Sequence, residues 1–389
     1  ATPNRKREKR GKTDMTNFGI QKNFGFGLMR LPLKGEDIDV EKVKEMVDLF
    51  MSKGFTYFDT AYGYNNGKSE MAAKEAIVDR YPRESFQLAT KLPAWAGANS
   101  AEEARQMFWT SLERTGAGYF DFYLLHNISE DRLKKFDEYK IWDFVMELKE
   151  KGLVRNVGFS FHDNAELLDK LLTEHPEMDF VQLQLNYADW ESATVQSRRN
   201  HEVAVKHGKP IIVMEPVKGG ALANPPAKVM ELFRKVNPAA SAASWAIRFA
   251  ASLENVFMVL SGMSTLQQVQ DNVSFMENFQ PLSPEEMAAI EEARAILDSV
   301  PRIQCTACEY CAKECPQGIH IPQFFDAANR YFVLEDYDGA RFSYFMETRF
   351  GSKLPSECLE CGSCEAVCPQ KLPIIQDLKR TVELFETKK

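Results

Sequence analysis

Eight cysteines in two identical arrays and four polar residues closing three apolar runs are the groups whose types and spacing could do chemistry. Cys305, Cys308, Cys311 and Cys315 precede Pro316, and Cys358, Cys361, Cys364 and Cys368 precede Pro369, so both arrays read C-x2-C-x2-C-x3-C-P. Three thiolates at that pitch can each take one corner of a [4Fe–4S] cube, and the proline turns the chain away after the fourth. Zinc needs four ligands per site and has no call for the proline. In the two-cluster form of the pattern the fourth cysteine crosses over. Cys305, Cys308 and Cys311 would then share a cluster with Cys368, and Cys358, Cys361 and Cys364 with Cys315.

Asp59 closes the apolar run 55–60 and Tyr64 lies in the loop beyond it. Lys91 closes the run 86–91, and His126 follows 120–125. Taken singly, each has an ordinary reading: a turn cap, a surface tyrosine, a snorkelling lysine, a satisfied core histidine. Together an acid, a phenol, an amine and an imidazole fit proton donation to a carbonyl oxygen. A free tyrosine has a pKa of about 10, and a neighbouring ammonium favours its phenolate and lowers that value. A carboxylate can hold the lysine charged and in place while the imidazole orients the carbonyl.

The elements that must position these groups alternate along the chain. Strand patterns fall at 26–31, 55–60, 86–91, 120–125, 154–160, 180–186, 210–215 and 256–261. Helical periodicity falls between them at 40–52, 69–79, 101–115, 141–151, 165–174, 192–207, 239–251 and 266–277. Eight strand–helix units are what a (β/α)8 TIM barrel, an α/β fold, requires, with working groups at the carboxyl ends of its strands. A doubly wound sheet would want G-x-G-x-x-G after an early strand. The nearest stretch, Gly25-Phe26-Gly27-Leu28-Met29-Arg30, lacks the third glycine. A further capped helix is expected at 284–300, and Pro301 opens a small helical domain, 301–389, that holds every cysteine.

The 389 residues, 44% hydrophobic and 27% charged, suit one large and one small globular domain. A formal charge of −8 argues against nucleic acid or an anionic membrane as partner. No apolar run approaches the roughly 20 residues of a membrane span. Residues 1–14 carry six Lys/Arg against two Asp/Glu and no apolar segment. They are expected to be a disordered basic tail or an appended segment rather than a secretory signal, with the barrel running over 15–300. Cysteines confined to one region point to a metal site in a reducing, cytoplasmic interior rather than to a disulfide framework.

Residues 20–300 resemble the aldo-keto reductase superfamily, whose motif appears as Asp59-Thr60-Ala61-Tyr62-Gly63-Tyr64 with Gly67-Lys68-Ser69-Glu70 after it. The resemblance implies a tetrad of Asp59, Tyr64 as general acid, Lys91 and His126, with NADP or NAD across the barrel mouth. It places Ser160 and Gln182 on the carboxamide, Pro216, Val217, Lys218 and Gly219 along the pyrophosphate, and Gly262, Ser264, Gln268, Asp271 and Asn272 at the adenosine end. Many relatives have Asn where this chain has Phe161, and many NADP users carry Lys and Arg where it has Gly262 and Gln268. Ser264, Gln268 and Lys218 are the remaining candidates for a 2′-phosphate. The tail is similar to the α-helical ferredoxin domains of respiratory and disulfide-reductase complexes.

The expected function is an iron–sulfur oxidoreductase interconverting a small-molecule carbonyl and alcohol. Its clusters would exchange electrons with the active site or with a partner such as ferredoxin. The alternatives are a nicotinamide-only carbonyl reductase with structural or oxygen-sensing clusters, and an electron-transfer subunit with the barrel as docking platform. A flavin often mediates between hydride and single-electron carriers, and the chain carries no flavin signature. The tail, leaving after the last barrel helix, is expected to cover the barrel mouth. His162 and Trp190, after the fifth and sixth strands, would line the substrate pocket or serve packing.

Overall fold

A computed structural model of the chain describes residues 18–192, 195–299, 301–334 and 337–387. The expected basic tail, 1–14, lies outside the described residues. Eight parallel strands close into a barrel in sequence order: β1 (Phe24–Gly27), β2 (Tyr57–Asp59), β3 (Gln87–Leu92), β4 (Phe120–Ile128), β5 (Val154–Phe161), β6 (Phe180–Gln184), β7 (Ile211–Met214) and β8 (Val256–Gly262), the last pairing with the first. The fold is therefore the α/β barrel with a helical tail that the sequence predicts.

Inside the barrel, β2, β4, β6 and β8 contribute Tyr57, Phe122, Phe180 and Phe257 to one aromatic cluster. Ring centroids lie 5.0 Å apart for Tyr57–Phe122 and 5.3 Å for Phe122–Phe180. Alternate strands filling a layer is how such barrels make a solid core. Phe18 closes the cluster, edge-on to Phe122 at 5.3 Å. With its interior packed and one end plugged, the barrel has one polar end, where β2, β3 and β4 deliver Asp59, Lys91 and His126.

The first strand runs four residues, Phe24–Gly27, and Leu28–Arg30 is a single 3-10 turn, not the 26–31 strand expected. Phe24 and Phe26 pack outward on Phe50, while Gly25 faces inward. A Cβ there would come within 2.8 Å of Leu260 and 2.9 Å of Tyr57. The apolar stretch 26–31 thus lies partly beyond the strand. Helix Ala101–Thr115 begins where the Ser100 hydroxyl accepts from Glu103 N at 3.2 Å and ends at Gly116 with φ 62°. Two further helices, Glu130–Glu138 and Ala227–Val236, are additional to the predicted set.

The tail forms its own apolar core from Ile319, Ile321, Phe324, Phe325, Tyr344, Leu378 and Phe385 together with Cys311, Cys364 and Cys368. Its main helices are Ile321–Leu334, Tyr337–Met346 and Ile374–Phe385. Among the described residues no helix is long and apolar enough to cross a membrane.

Gly158 in β5 tests the strand packing. A Cβ there would sit 2.4 Å from the Phe180 carbonyl oxygen and 2.8 Å from its ring. Because the obstacle is backbone, Gly158→Ala should cost about 1–3 kcal/mol of unfolding free energy, read as a lower urea midpoint. Gly63→Ala, with nothing within 4 Å of the added carbon, should change the midpoint little.

Candidate active site

The register of β2 and β3 pairs Asp59 with Ala89 and so brings Lys91, two residues on, level with the end of β2. Lys91 Nζ donates to Asp59 Oδ1 at 2.5 Å, to Thr60 O at 2.8 Å and to the Tyr64 hydroxyl at 3.3 Å. The ammonium also lies 4.8 Å from the Tyr64 ring centroid. The His126 ring stands edge-on to Tyr64 at 5.8 Å. All four tetrad candidates converge.

Tyr64 reaches this position through a costly loop. Asn65 and Asn66 adopt left-handed backbone, φ 50° and 56°, followed by Gly67 at 85°. The loop is held by Arg114, which donates to Tyr62 O at 2.9 Å and to Glu70 at 3.2 Å. Behind it Ser69 donates to Leu28 O at 2.9 Å and shares a 2.7 Å hydrogen bond with Thr60.

The electrostatics correct one expectation. The phenol of Tyr64 is held well above its ordinary range, by burial first and then by the charges of Asp59 and Glu215. Lys91, which donates to the hydroxyl at 3.3 Å, does not outweigh burial and the two carboxylates. Burial also pulls Lys91 down and pushes Asp59 up, against their mutual attraction. His126 lies well below the ordinary histidine range through burial and then Lys91, so its ring is neutral.

Asp59, Tyr64, Lys91 and His126 line a cavity of about 580 Å³ together with Ser160, Gln182, Pro216, Val217, Gly219, Gly262, Ser264, Gln268, Asp271 and Asn272. The donor set fits a nicotinamide coenzyme. Gln182 Oε1 is buried without a hydrogen-bond partner, an acceptor for a carboxamide, and Ser160 Oγ accepts from Asn127 N at 2.7 Å. At the far end Ser264 N donates to Gln268 at 2.7 Å, Asn272 donates to Ser261 at 3.1 Å, and Asp271 accepts from Ser241 at 2.6 Å.

Lys218 does not line this cavity. It is 3% exposed and donates to Asp189 at 2.6 Å. Asp189 also accepts from Gln184 at 3.0 Å and Asn186 at 2.8 Å. A buried ammonium goes to the buried carboxylate nearest it, which removes Lys218 from the candidates for a 2′-phosphate. His162 lines the cavity, whereas Trp190 packs on Phe249 at 5.3 Å.

Arg30 lines the cavity unforeseen, 3.8 Å from Glu215 of the segment assigned to the pyrophosphate. Arg30 also donates to Thr306 O of the tail at 2.7 Å. The sequence placed Arg30 inside the expected strand 26–31 and gave it no role.

The tail roofs the mouth, as expected. Thr306, Cys308, Tyr310, Pro369 and Gln370 complete the wall of the large cavity. A second cavity, about 330 Å³, shares Tyr64, His126, Cys308 and Tyr310 and is walled by Met29, Ile38, Pro93 and Trp95. Gln184 and Gln370 exchange amide hydrogen bonds of 3.0 and 2.9 Å across the junction.

Cys315, Cys358, Cys361 and Cys364 line one small void with Ile319, Ile321 and Leu378. Cys305, Cys308, Cys311 and Cys368 lie within electrostatic reach of one another. The fourth cysteine of each array thus stands with the first three of the other. Burial pushes the Cys305 thiol up to about 11, Cys308 to about 12 and Cys364 to about 11. Among the described residues no three His, Cys, Asp or Glu side chains converge tightly enough for a single ion. Two foursomes of thiols, one of them around a small void, fit polynuclear clusters.

Comparisons with known proteins agree with this division. Residues 23–295 match the model of the aldo/keto reductase family, and residues 304–373 match a 4Fe-4S dicluster domain. An aldo-keto reductase of Mycolicibacterium vanbaalenii is 29% identical over 265 residues, 66% of this chain and 85% of that one. The NADH-specific methylglyoxal reductase of Escherichia coli is 25% identical over 260 residues, 57% and 78% of the two chains. Among solved structures, the holo form of an aldo-keto reductase from Bacillus halodurans matches with TM-score 0.56 at 24% identity, over 70% of this chain and 91% of that one. A Klebsiella pneumoniae aldo/keto reductase in complex with NADP and acetate matches with TM-score 0.55 at 20% identity, over 69% and 90%.

The buried histidines predict acid sensitivity. His126 is held well below 6.5 and His162 is pulled to about 3 by burial and then Arg132. Both are neutral in the fold and titrate near 6.5 when unfolded. The unfolded chain therefore binds more protons below that pH, and stability falls as pH drops, by up to roughly 1.4 kcal/mol per unit per histidine. Urea midpoints measured between pH 7 and 4 should decline, and His162→Gln should make the decline shallower.

Proposed function

The chain belongs to the aldo/keto reductase family and carries a 4Fe-4S dicluster domain behind its barrel, and from this premise we propose that it interconverts a small-molecule carbonyl and alcohol with Tyr64 as the proton-transferring residue. The observation that carries the reading is the hydrogen-bonded series Asp59–Lys91–Tyr64 beside a neutral His126, on the wall between the two cavities. NADP or NAD would occupy the larger cavity, with Gln182 and Ser160 at the carboxamide and Gly262, Ser264 and Gln268 near the adenosine. A bound nicotinamide supplies or accepts the hydride.

The chain's own groups do the rest. Tyr64 keeps its proton at rest, since burial and Asp59 disfavour the phenolate, and gives it to a carbonyl oxygen as negative charge develops there. Lys91, 3.3 Å away, stabilises the phenolate left behind. The neutral imidazole of His126 hydrogen-bonds the same oxygen and fixes its approach. The smaller cavity is walled by Met29, Ile38, Trp95 and Tyr310 and also by Glu36, Lys68, Lys313 and Glu314, which suits a substrate with an apolar body and a polar end.

Arg30 is the cation other than Lys91 among the residues described as lining the large cavity. It favours a coenzyme phosphate on its side of the mouth. The named relatives include an NADH-specific enzyme and an NADP complex, so both coenzymes belong in the assay.

Two [4Fe–4S] clusters would be held by Cys305, Cys308, Cys311 and Cys368, and by Cys315, Cys358, Cys361 and Cys364. They would exchange single electrons with the active site or a redox partner. A second reading, in which the clusters fold the tail, draws on the roof that Thr306, Tyr310 and Gln370 make over the mouth.

Tyr64→Phe should lower carbonyl reduction by roughly 10²–10⁴-fold while coenzyme fluorescence still reports binding. Survival of the native rate would remove Tyr64 from this role. After anaerobic reconstitution, mixing with NADH or NADPH should bleach the visible cluster absorption. Unbleached clusters alongside intact turnover would favour the folding role.

A further inference from the structure

Arg132 lies in the first turn of helix Glu130–Glu138, just beyond β4, and is 9% exposed. Its guanidinium donates to Val367 O of the tail at 3.3 Å, lies 4.1 Å over the Trp95 ring and stands 5.9 Å from that of Tyr310. Among the described residues no carboxylate forms an ion pair with it. The groups that favour its charge are, in order, Tyr310, Cys308, Asp131 and Glu314. Asp131 and Glu314 are exposed, so water and salt screen them. A buried cation without an anionic partner is costly, and the series Asp59–Lys91–Tyr64 makes no hydrogen bond with this one.

Its surroundings name the missing charge. Val367 precedes Cys368, and Cys308 belongs to the same foursome with Cys305 and Cys311. Four thiolates around an iron–sulfide cube leave a net negative charge that grows by one on reduction. Lys218, a cation that acts on Cys305, is already neutralised by Asp189 at 2.6 Å, and Arg30, which donates to Thr306 O, has Glu215 at 3.8 Å. The other foursome has exposed Cys361 and nearby ions paired among themselves, Lys379 with Glu360 at 2.8 Å and Arg380 with Asp377 at 3.2 Å.

We propose that Arg132 is the counter-charge of an inner cluster held by Cys305, Cys308, Cys311 and Cys368, and that it keeps this cluster reducible beside the active site. The inference rests on the cluster reading above. Burial alone disfavours the extra negative charge of the reduced state and drives the potential down, and a fixed cation at the cluster's edge opposes that. Arg132 is thus a positioning residue. It stacks on Trp95, whose indole N–H holds the His126 carbonyl at 2.8 Å, and so ties the inner cluster to the tetrad.

The test is an EPR-monitored redox titration of the reconstituted full-length protein, with iron and sulfide measured first. The inner signal is the one lost in Cys308→Ala and kept in Cys361→Ala. Arg132→Met should shift the inner midpoint to more negative potential and leave the outer one in place, while Arg132→Lys should stay near the native value. If the Met variant does not assemble, Arg132→Gln carries the same expectation. An unshifted inner midpoint, equal shifts of both clusters, or equal shifts in the Lys and neutral variants would overturn the proposal. A native protein that takes up no iron would instead overturn the cluster reading on which it rests.

Discussion

A lysine 1% exposed at the end of an apolar strand is tenable only with an anion against it, and the Asp59–Lys91 contact of 2.5 Å is the interaction on which the active end of the barrel depends. Removing either partner would strand a buried charge, a loss of about 3–5 kcal/mol. The pair exists because β2 and β3 are neighbours in one register. Its consequence for Tyr64 is less obvious than a lysine lowering a phenol's pKa. The carboxylate that keeps Lys91 charged also repels a phenolate, so the resting site holds the proton on Tyr64. In the proposed reaction the ammonium's benefit would come as charge develops on a carbonyl oxygen and proton transfer begins, where preorganised electrostatics matter most.

Part of the junction between barrel and tail follows the same rule, a buried cation held against a carboxylate. Lys218 turns to Asp189, Asp189 accepts from Gln184, and Gln184 joins its amide to Gln370 next to Cys368 and Pro369. Gly219 lies against the tail so closely that a Cβ would meet Thr306 O at 2.4 Å. The segment that the family resemblance assigned to a pyrophosphate therefore has one face on the cavity and the other on the cysteine domain.

The tetrad could be read from the sequence because a parallel barrel sends the carboxyl ends of its strands to one rim, so strand-end Asp59, Lys91 and His126 had to meet. The cysteine arrays could be read because their spacing fits a cube. What escaped was set by partners distant in the chain. Lys218 looks like a phosphate ligand until Asp189, a residue of another loop, is beside it. Arg30 and Arg132 look like surface cations until the tail folds back onto Thr306 and Val367. The misplaced first strand has a local cause. Hydrophobicity marks 26–31, whereas the strand is fixed by Gly25, whose missing side chain lets Tyr57 and Leu260 close the barrel.

Tyr64 and His126 stand on the wall common to both cavities, and so do Cys308 and Tyr310. A carbonyl entering the smaller cavity would meet the tetrad from one side while a coenzyme in the larger one meets it from the other. Both chambers take part of their wall from residues 306–310, the segment that carries Cys308 of one foursome. The barrel alone supplies the proton-transfer groups but leaves both chambers open toward the tail. The cysteine domain is therefore part of the wall of both chambers.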